Sequence, residues 1–444
     1  MEQAVEHLDL LIEARWIIPV EPANTTLEHH AIAIRGEEIV AVLPISEARM
    51  RYCATQTVSL PEHVLIPGLI NLHTHAPMVL MRGMADDMPL MRWLTEEIWP
   101  AESAHVSDRF VFDGTLVGGA EMLRGGITCV ADMYFYPDAS ARAYEQLGMR
   151  AVIGMTVIDA PTNYATTAED YLSKGLQVRD AWRDHSRISF SLAPHAPYTV
   201  SDASWERIGS LAEELDILIH THVQETAGEV AESIEKHGAR PFERLRTLGL
   251  LGPNLLVAHA VHITAEEICL LAENNVAIAH NPTSNMKLAS GAAPVANMLA
   301  AGIRVGLGSD GAASNNRLDI FQEMRMASLL AKLTTGDAGV LPAHTALQMA
   351  TINAAHALGM QDTIGSLTPG KKADVVAVAL DALETAPVFD PASHLTYVSG
   401  REHVTHVWIA GHTLIKDKSM LHNDNKELLH ISRLWQNSLQ NRRL

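Results

Sequence analysis

The chain has 444 residues, 47% of them hydrophobic and 19% charged, which is enough apolar material for a large core and excludes a disordered polymer. Asp and Glu (52) outnumber Lys and Arg (33), giving a net charge of -19 that argues against nucleic acid and membrane as partners and favours a small-molecule substrate. The three cysteines, Cys53, Cys129 and Cys269, are too scattered for a disulfide framework or a chelating cluster. With an acidic N-terminal start and no long apolar run, they point to a cytoplasmic protein. Histidine is the unusual count, since 23 in 444 is about double an ordinary share.

Residues 1–65 read as short strands, LDLLIEARWIIPV and AIAIRGEEIVAVLP, with a hairpin turn at Arg35 to Glu38. After Pro67-Gly68 the rhythm becomes short apolar runs separated by helical segments. Eight such runs follow: Leu69 to Leu72, Ile127 to Tyr134, Ala151 to Ile158, Ile188 to Ala193, Ile217 to Val223, Leu255 to Ala260, Val276 to Ala279, and Arg304 to Gly308. They predict an α/β fold, a (β/α)8 TIM-type barrel over residues 66–365. Capping boxes at Thr166/Glu169, Thr226/Glu229 and Thr264/Glu267 mark helix starts after these runs. Strand patterns return over 366–425, with a turn at Ala410-Gly411, so both chain ends are expected to share one small β-sandwich domain. A helix is expected over 426–444.

In a parallel barrel the chemistry sits at the C-terminal strand ends, so the side chains there carry the information. The first run ends in His73-Thr74-His75, and the period of two along a strand points both imidazoles to one side, where they can share an ion. The fifth run ends in His220-Thr221-His222 with Glu225 just beyond, the sixth in His259, and the eighth in Ser309-Asp310-Gly311. An isolated Asp-Gly is usually a turn and an isolated His usually core. Imidazoles and a carboxylate converging from four strand ends point instead to a metal site. Nitrogen and oxygen donors without cysteine favour Zn²⁺, although Fe or Mn also accepts such a set.

Five segments in this order, PGLINLHTH, HVQET, AHAVH, AHNPTSNMKLASG and GLGSDGAASNN, resemble the amidohydrolase superfamily. They are similar in particular to its branch of 5-methylthioadenosine/S-adenosylhomocysteine deaminases and triazine chlorohydrolases. The resemblance implies a zinc-dependent hydrolytic deaminase in which His73, His75, His222 and Asp310 hold the ion, whose bound water has a pKa of about 7. It further implies that Asp310 accepts a proton, Glu225 protonates the purine ring at N1, and His259 orients the attacking hydroxide. In IWPAE, Glu102 matches the position that contacts ribose hydroxyls, and in APHAPY, His195 matches a nucleoside contact. Relatives of this kind imply a homo-oligomer. A guanine, cytosine or triazine hydrolase of the same branch is the competing expectation, and it has no need of Glu102.

Two segments bear on the substrate. Met78, Met81, Met84, Met88 and Met91 crowd one stretch, ordinarily a sign of core, yet a thioether-lined lid would also suit a 5′-methylthio group. Relatives that accept S-adenosylhomocysteine use arginines after the third strand, whereas Met155 to Leu176 here holds no Arg and only Lys174 as a cation. That departure predicts a preference for 5′-methylthioadenosine, then adenosine, with S-adenosylhomocysteine behind, unless Arg82 or Arg92 compensates.

Overall fold

The computed structural model describes residues 5–440. Its larger sheet holds eight parallel strands in sequential order, β5 (Leu69–Thr74), β6 (Ile127–Tyr134), β7 (Arg150–Val157), β8 (Ile188–Pro194), β9 (Ile219–Val223), β10 (Leu255–His259), β11 (Ala277–His280) and β12 (Arg304–Leu307). β5, β6 and β7 are buried along their whole length, as expected of strands covered by side chains on the inside and helices on the outside. The seam between β12 and β5 is drawn together by Asp310 N to His73 O at 2.9 Å and Ser309 N to Asn71 Oδ1 at 2.9 Å. Two glycines permit this approach: a Cβ on Gly306 would lie 2.6 Å from the Leu72 side chain, and one on Gly308 2.9 Å from the His73 amide.

The second sheet joins both chain ends. Before the barrel come β1 (Glu6–Ile17), β2 (Leu27–Arg35), β3 (Glu38–Pro44) and β4 (Tyr52–Pro67), and after it β13 (Val375–Ala379), β14 (Val404–Ile409), β15 (His412–Lys416) and β16 (Ser419–Met420). They form one mixed sheet of order β16-β15-β14-β13-β4-β1-β2-β3, with β4 parallel to β1 and antiparallel to β13. The β14–β15 turn places Ala410 and Gly411 at φ 50° and 75°, the left-handed pair that a tight hairpin requires. A buried ion pair between Arg150 of β7 and Asp374, at 3.3 Å, ties this sheet to the barrel.

Helix starts follow the sequence with one shift. Thr264 and Glu267 form the full reciprocal capping box. Thr226 caps the amide of Glu229, but the Glu229 carboxylate turns away to the amides of Gln224 and Glu225. The expected Thr166/Glu169 box is displaced by one residue: Thr167 is the cap and accepts from Asp170, whose own carboxylate takes the Thr166 amide. The final helix, Asn425–Gln440, lies on the helix Asp108–Arg124 through an edge-on contact of Trp435 with Phe110 and a 2.9 Å bond from Trp435 Nε1 to Asp113. Residues 441–444 of the expected terminal helix lie outside the described residues.

Candidate active site

His73 and His75 leave the end of β5 on the same side, His222 lies near the end of β9, and Asp310 follows β12. One ligand atom from each of these four lies within 4.8 Å of the others. Their ring orientations are fixed from behind. His75 Nδ1 donates to the Met133 carbonyl and His222 Nδ1 to that of His195, each at 2.6 Å, so both rings turn Nε2 inward. His73 Nδ1 sits 2.9 Å from His220 Nε2, and the buried Nε2 of His73 has no hydrogen-bond partner among the described residues. The Nε2 atoms of His75 and His222 are 3.3 Å apart, and Asp310 Oδ1 lies 3.2 Å from His75 Nε2 and 3.5 Å from that of His73. Lone pairs gathered this closely repel unless a cation stands among them, so the donor set fits a divalent ion, and its chemistry suits zinc.

The electrostatics agree. Burial raises Asp310, but the facing imidazoles of His73 and His75, with the charge of His75 and His259, outweigh it and hold the carboxyl well below its usual range. Burial lowers His75, yet Asp310 and the Met133 carbonyl lift it to about 9, so the cluster draws in a positive charge. Burial pushes His73 down to about 3 and drives His220 and His222 well below the ordinary imidazole value.

A further ring of contacts comes from the loops. Asp310 Oδ2 accepts from Ser284 Oγ at 2.6 Å and Ser314 Oγ at 2.8 Å, which leaves Oδ1 aimed at the imidazoles. Asn285 Oδ1 accepts from His259 Nδ1 at 2.8 Å, so His259 presents its Nε2, 3.8 Å from Glu225 Oε2. Glu225 is buried, which raises its carboxyl, and the Glu229 carboxylate holds the Gln224 and Glu225 amides at 2.8 Å each. Gln224, His259 and Asp310 adopt left-handed φ of 55°, 74° and 57°, a strain of about 1–3 kcal/mol each that such networks sustain at functional sites.

These groups open into a cavity of about 390 Å³. Its wall includes Glu102 and His195 together with His75, His222, Glu225, His259 and Asp310, so the expected site residues meet in one space, except His73, which lies buried beneath it. His195 bonds Thr199 Oγ1 at 3.0 Å, and burial lowers it to about 4, leaving a neutral ring. The methionine lid is largely absent. Only Met78 of the five lines the cavity, Met81 is core, and Met91 is 45% exposed. The apolar wall is instead Leu90, Trp93, Leu94, Ile98 and Trp99, carried on a helical stretch that widens to π-helix over Trp93–Ile98. Sequence reasoning missed His220, Ser284, Asn285, Ser314 and Tyr134. His220 had a legible signal, because His220 and His222 repeat the two-residue spacing of His73 and His75.

Residues 64–414 match the amidohydrolase family, and the chain belongs to it. Within that family it is 45% identical over 435 residues to a 5-methylthioadenosine/S-adenosylhomocysteine deaminase from Saccharophagus degradans, covering 98% of each sequence. It is 44% identical to the enzyme of that name from Teredinibacter turnerae, covering 97% of this chain and 98% of the relative. Among solved structures, a zinc-bound adenosine deaminase from Xanthomonas campestris superposes with a TM-score of 0.97 at 47% identity, covering 98% of this chain and all of the other. The zinc complex of an atrazine chlorohydrolase from Arthrobacter aurescens gives 0.90 at 25% identity, covering 96% and 99%.

Proposed function

We propose that this amidohydrolase is a zinc-dependent deaminase that hydrolyses a cyclic amidine C–N bond in adenine nucleosides, giving the inosine analogue and ammonia. The observation that carries this reading is a single cavity in which Glu225 and Glu102 join the His73, His75, His222 and Asp310 cluster. His73, His75, His222 and Asp310 would hold the zinc ion, which when bound would make a water molecule acidic enough to react at neutral pH. Asp310 takes the first proton and is kept in place for it by Ser284 and Ser314. His259, its Nδ1 tied to Asn285, offers Nε2 as an acceptor that aligns the water. Glu225, whose burial keeps its proton to higher pH, donates to ring N1 as C6 becomes tetrahedral; the proton on Asp310 then leaves with ammonia, and the C6 hydroxyl proton passes to Glu225 as the carbonyl forms, which restores both carboxyl groups. Glu102 receives the ribose hydroxyls and His195 contacts the nucleoside.

The same cavity favours an apolar 5′ substituent. No Lys or Arg lines it among the described residues. Arg82 is committed to Glu121 and the Asn316 carbonyl, Arg92 to Glu96, and Lys174 to Asp170 and the Tyr164 carbonyl. The order 5′-methylthioadenosine, adenosine, S-adenosylhomocysteine follows, because an unpaired amino-acid carboxylate forgoes a contact worth about 1.5–3 kcal/mol. The acidic composition supports a cytoplasmic protein without nucleic-acid partners, the run of β-type and helical segments supports a catalytic barrel over 66–365, and the resemblance to its relatives supports a homo-oligomer. Among the described residues no helix is long and apolar enough to cross a membrane. Ammonia release from a panel of these nucleosides, adenine, guanine, cytosine and a chlorotriazine tests the reading. Turnover concentrated on the nucleosides is expected, and turnover confined to free bases or the triazine overturns it.

A further inference from the structure

Tyr134, the last residue of β6, takes no part in the metal cluster, yet it lines the cavity while only 6% exposed. Its hydroxyl donates to Glu102 Oε1 at 2.7 Å. The other oxygen, Oε2, makes no hydrogen bond among the described residues, so one edge of the carboxylate is fixed and the other is left to the cavity. The helix carrying Glu102, Trp99–His105, is itself pinned from outside, because Asn163 Nδ2 donates to the carbonyls of Ser103 at 2.9 Å and Val106 at 3.1 Å. Asn163 is held in turn by Tyr136, whose hydroxyl donates to its carbonyl at 2.8 Å. Backbone and side chain of Glu102 are thus separately immobilised. Burial raises the Glu102 carboxyl, and the Tyr134 bond opposes that rise.

A vicinal diol presents two hydroxyl donors about one carboxylate width apart, and it is gripped best by a carboxylate whose plane is already set. A phenol donating to one oxygen from the wall fixes that plane and still leaves a lone pair on Oε1 and both on Oε2. We propose that Tyr134 is a specificity-determining positioning residue: it orients the Glu102 carboxylate so that the site selects nucleosides with an intact 2′,3′-diol over deoxy analogues. The proposal rests on the adenine-nucleoside reading above, and the test separates failure of the two.

The measurement is the ratio of kcat/KM for adenosine to that for 2′,3′-dideoxyadenosine in zinc-loaded protein of unchanged metal content and Tm. In the wild type this ratio is expected to be about 100. In Tyr134→Phe it should fall to about 10, through a higher KM for adenosine, with kcat changed by less than about 3-fold. Added to Glu102→Gln, Tyr134→Phe should lower the ratio by less than about 2-fold, since its effect passes through the carboxylate. Equal losses on both substrates, or losses that multiply in the double variant, would mean that Tyr134 merely fills the wall, and the proposal is overturned. A wild-type ratio near one removes the ribose role of Glu102 itself, and the positioning role falls with it.

Discussion

At the metal end of the cavity the functional side chains leave strand ends and are gripped by buried partners: His75 by the Met133 carbonyl, His222 by that of His195, and Asp310 by two serines. Across the mouth, the segment that supplies the apolar wall is held by partly exposed charges. Arg82 pairs with Glu121, Arg92 with Glu96, and Asp86 with Lys287 and Asn316. Partly exposed ion pairs contribute about 0–1 kcal/mol, whereas an imidazole or carboxylate buried among satisfied partners cannot shift without orphaning several groups. The chemistry is therefore built on the half held by buried partners, and the apolar wall of the mouth on the half held by partly exposed charges, while the ribose contact Glu102 is held by Tyr134.

Damage to the half held by buried partners should be the most costly. Asp310→Asn is expected to lower kcat on the order of 10⁴-fold and to reduce bound zinc, read by ammonia release and metal analysis. Chelation should abolish turnover, and Zn²⁺, Mn²⁺ or Fe²⁺ should restore it. Glu225→Gln should cost about 10²- to 10³-fold in kcat with full zinc content, which separates proton donation from metal binding. Undiminished turnover in that variant would place the donor elsewhere.

A fourth expectation concerns pH and the packing beneath the loops. Glu323 accepts from the Thr283 amide at 3.1 Å and Asn315 Nδ2 at 2.9 Å, joining the loops after β11 and β12, and burial pushes its carboxyl from 4.5 up to about 8. The folded state holds this proton more tightly than the unfolded chain. Its contribution is therefore complete below pH 4.5 and lost as pH rises through about 8. Stability should decline across that window by up to about 1.4 kcal/mol per pH unit, and Glu323→Gln should flatten the slope in Tm-against-pH curves. Glu229, raised by burial to about 7, acts in the same direction and leaves a residual slope. The smallest effect is expected at the mouth, where Lys287→Ala should change kcat/KM by no more than about 5-fold, with the difference shrinking in high salt. A loss there as large as that of Glu225→Gln would erase the contrast between the two halves.

The same contrast decided what the sequence could reveal. Strand ends are legible because apolar runs of β type stop at recognisable polar residues, so His73, His75, His222, His259 and Asp310 could be assigned to one mouth before any coordinates. Residues that act by holding others come from loops whose pattern carries no period. Ser284 and Asn285 lie in a short helix after β11 and Ser314 in a turn after β12; they fall within two of the segments that carry the family resemblance, but no period there tells which polar residue turns inward. Tyr134 reads as one more aromatic strand residue until its hydroxyl is found on Glu102, 32 positions away. The methionine-rich stretch left core and lid both open, because spacing alone does not tell which face of an irregular segment turns inward; Met78 and Met81 are buried, and the tryptophans just after them line the cavity.

His73 and His75 stand on the first barrel strand and Asp310 just beyond the last, on either side of the seam closed by the bond from the Asp310 amide to the His73 carbonyl. The four-donor cluster therefore cannot exist in any partial barrel. A nascent chain, or one cut anywhere before β12, carries the imidazoles without their carboxylate, and the centre is assembled only when the final strand docks. An ion held by that cluster would bridge the first and last strands, so the donor set that makes the centre also spans the joint of the barrel.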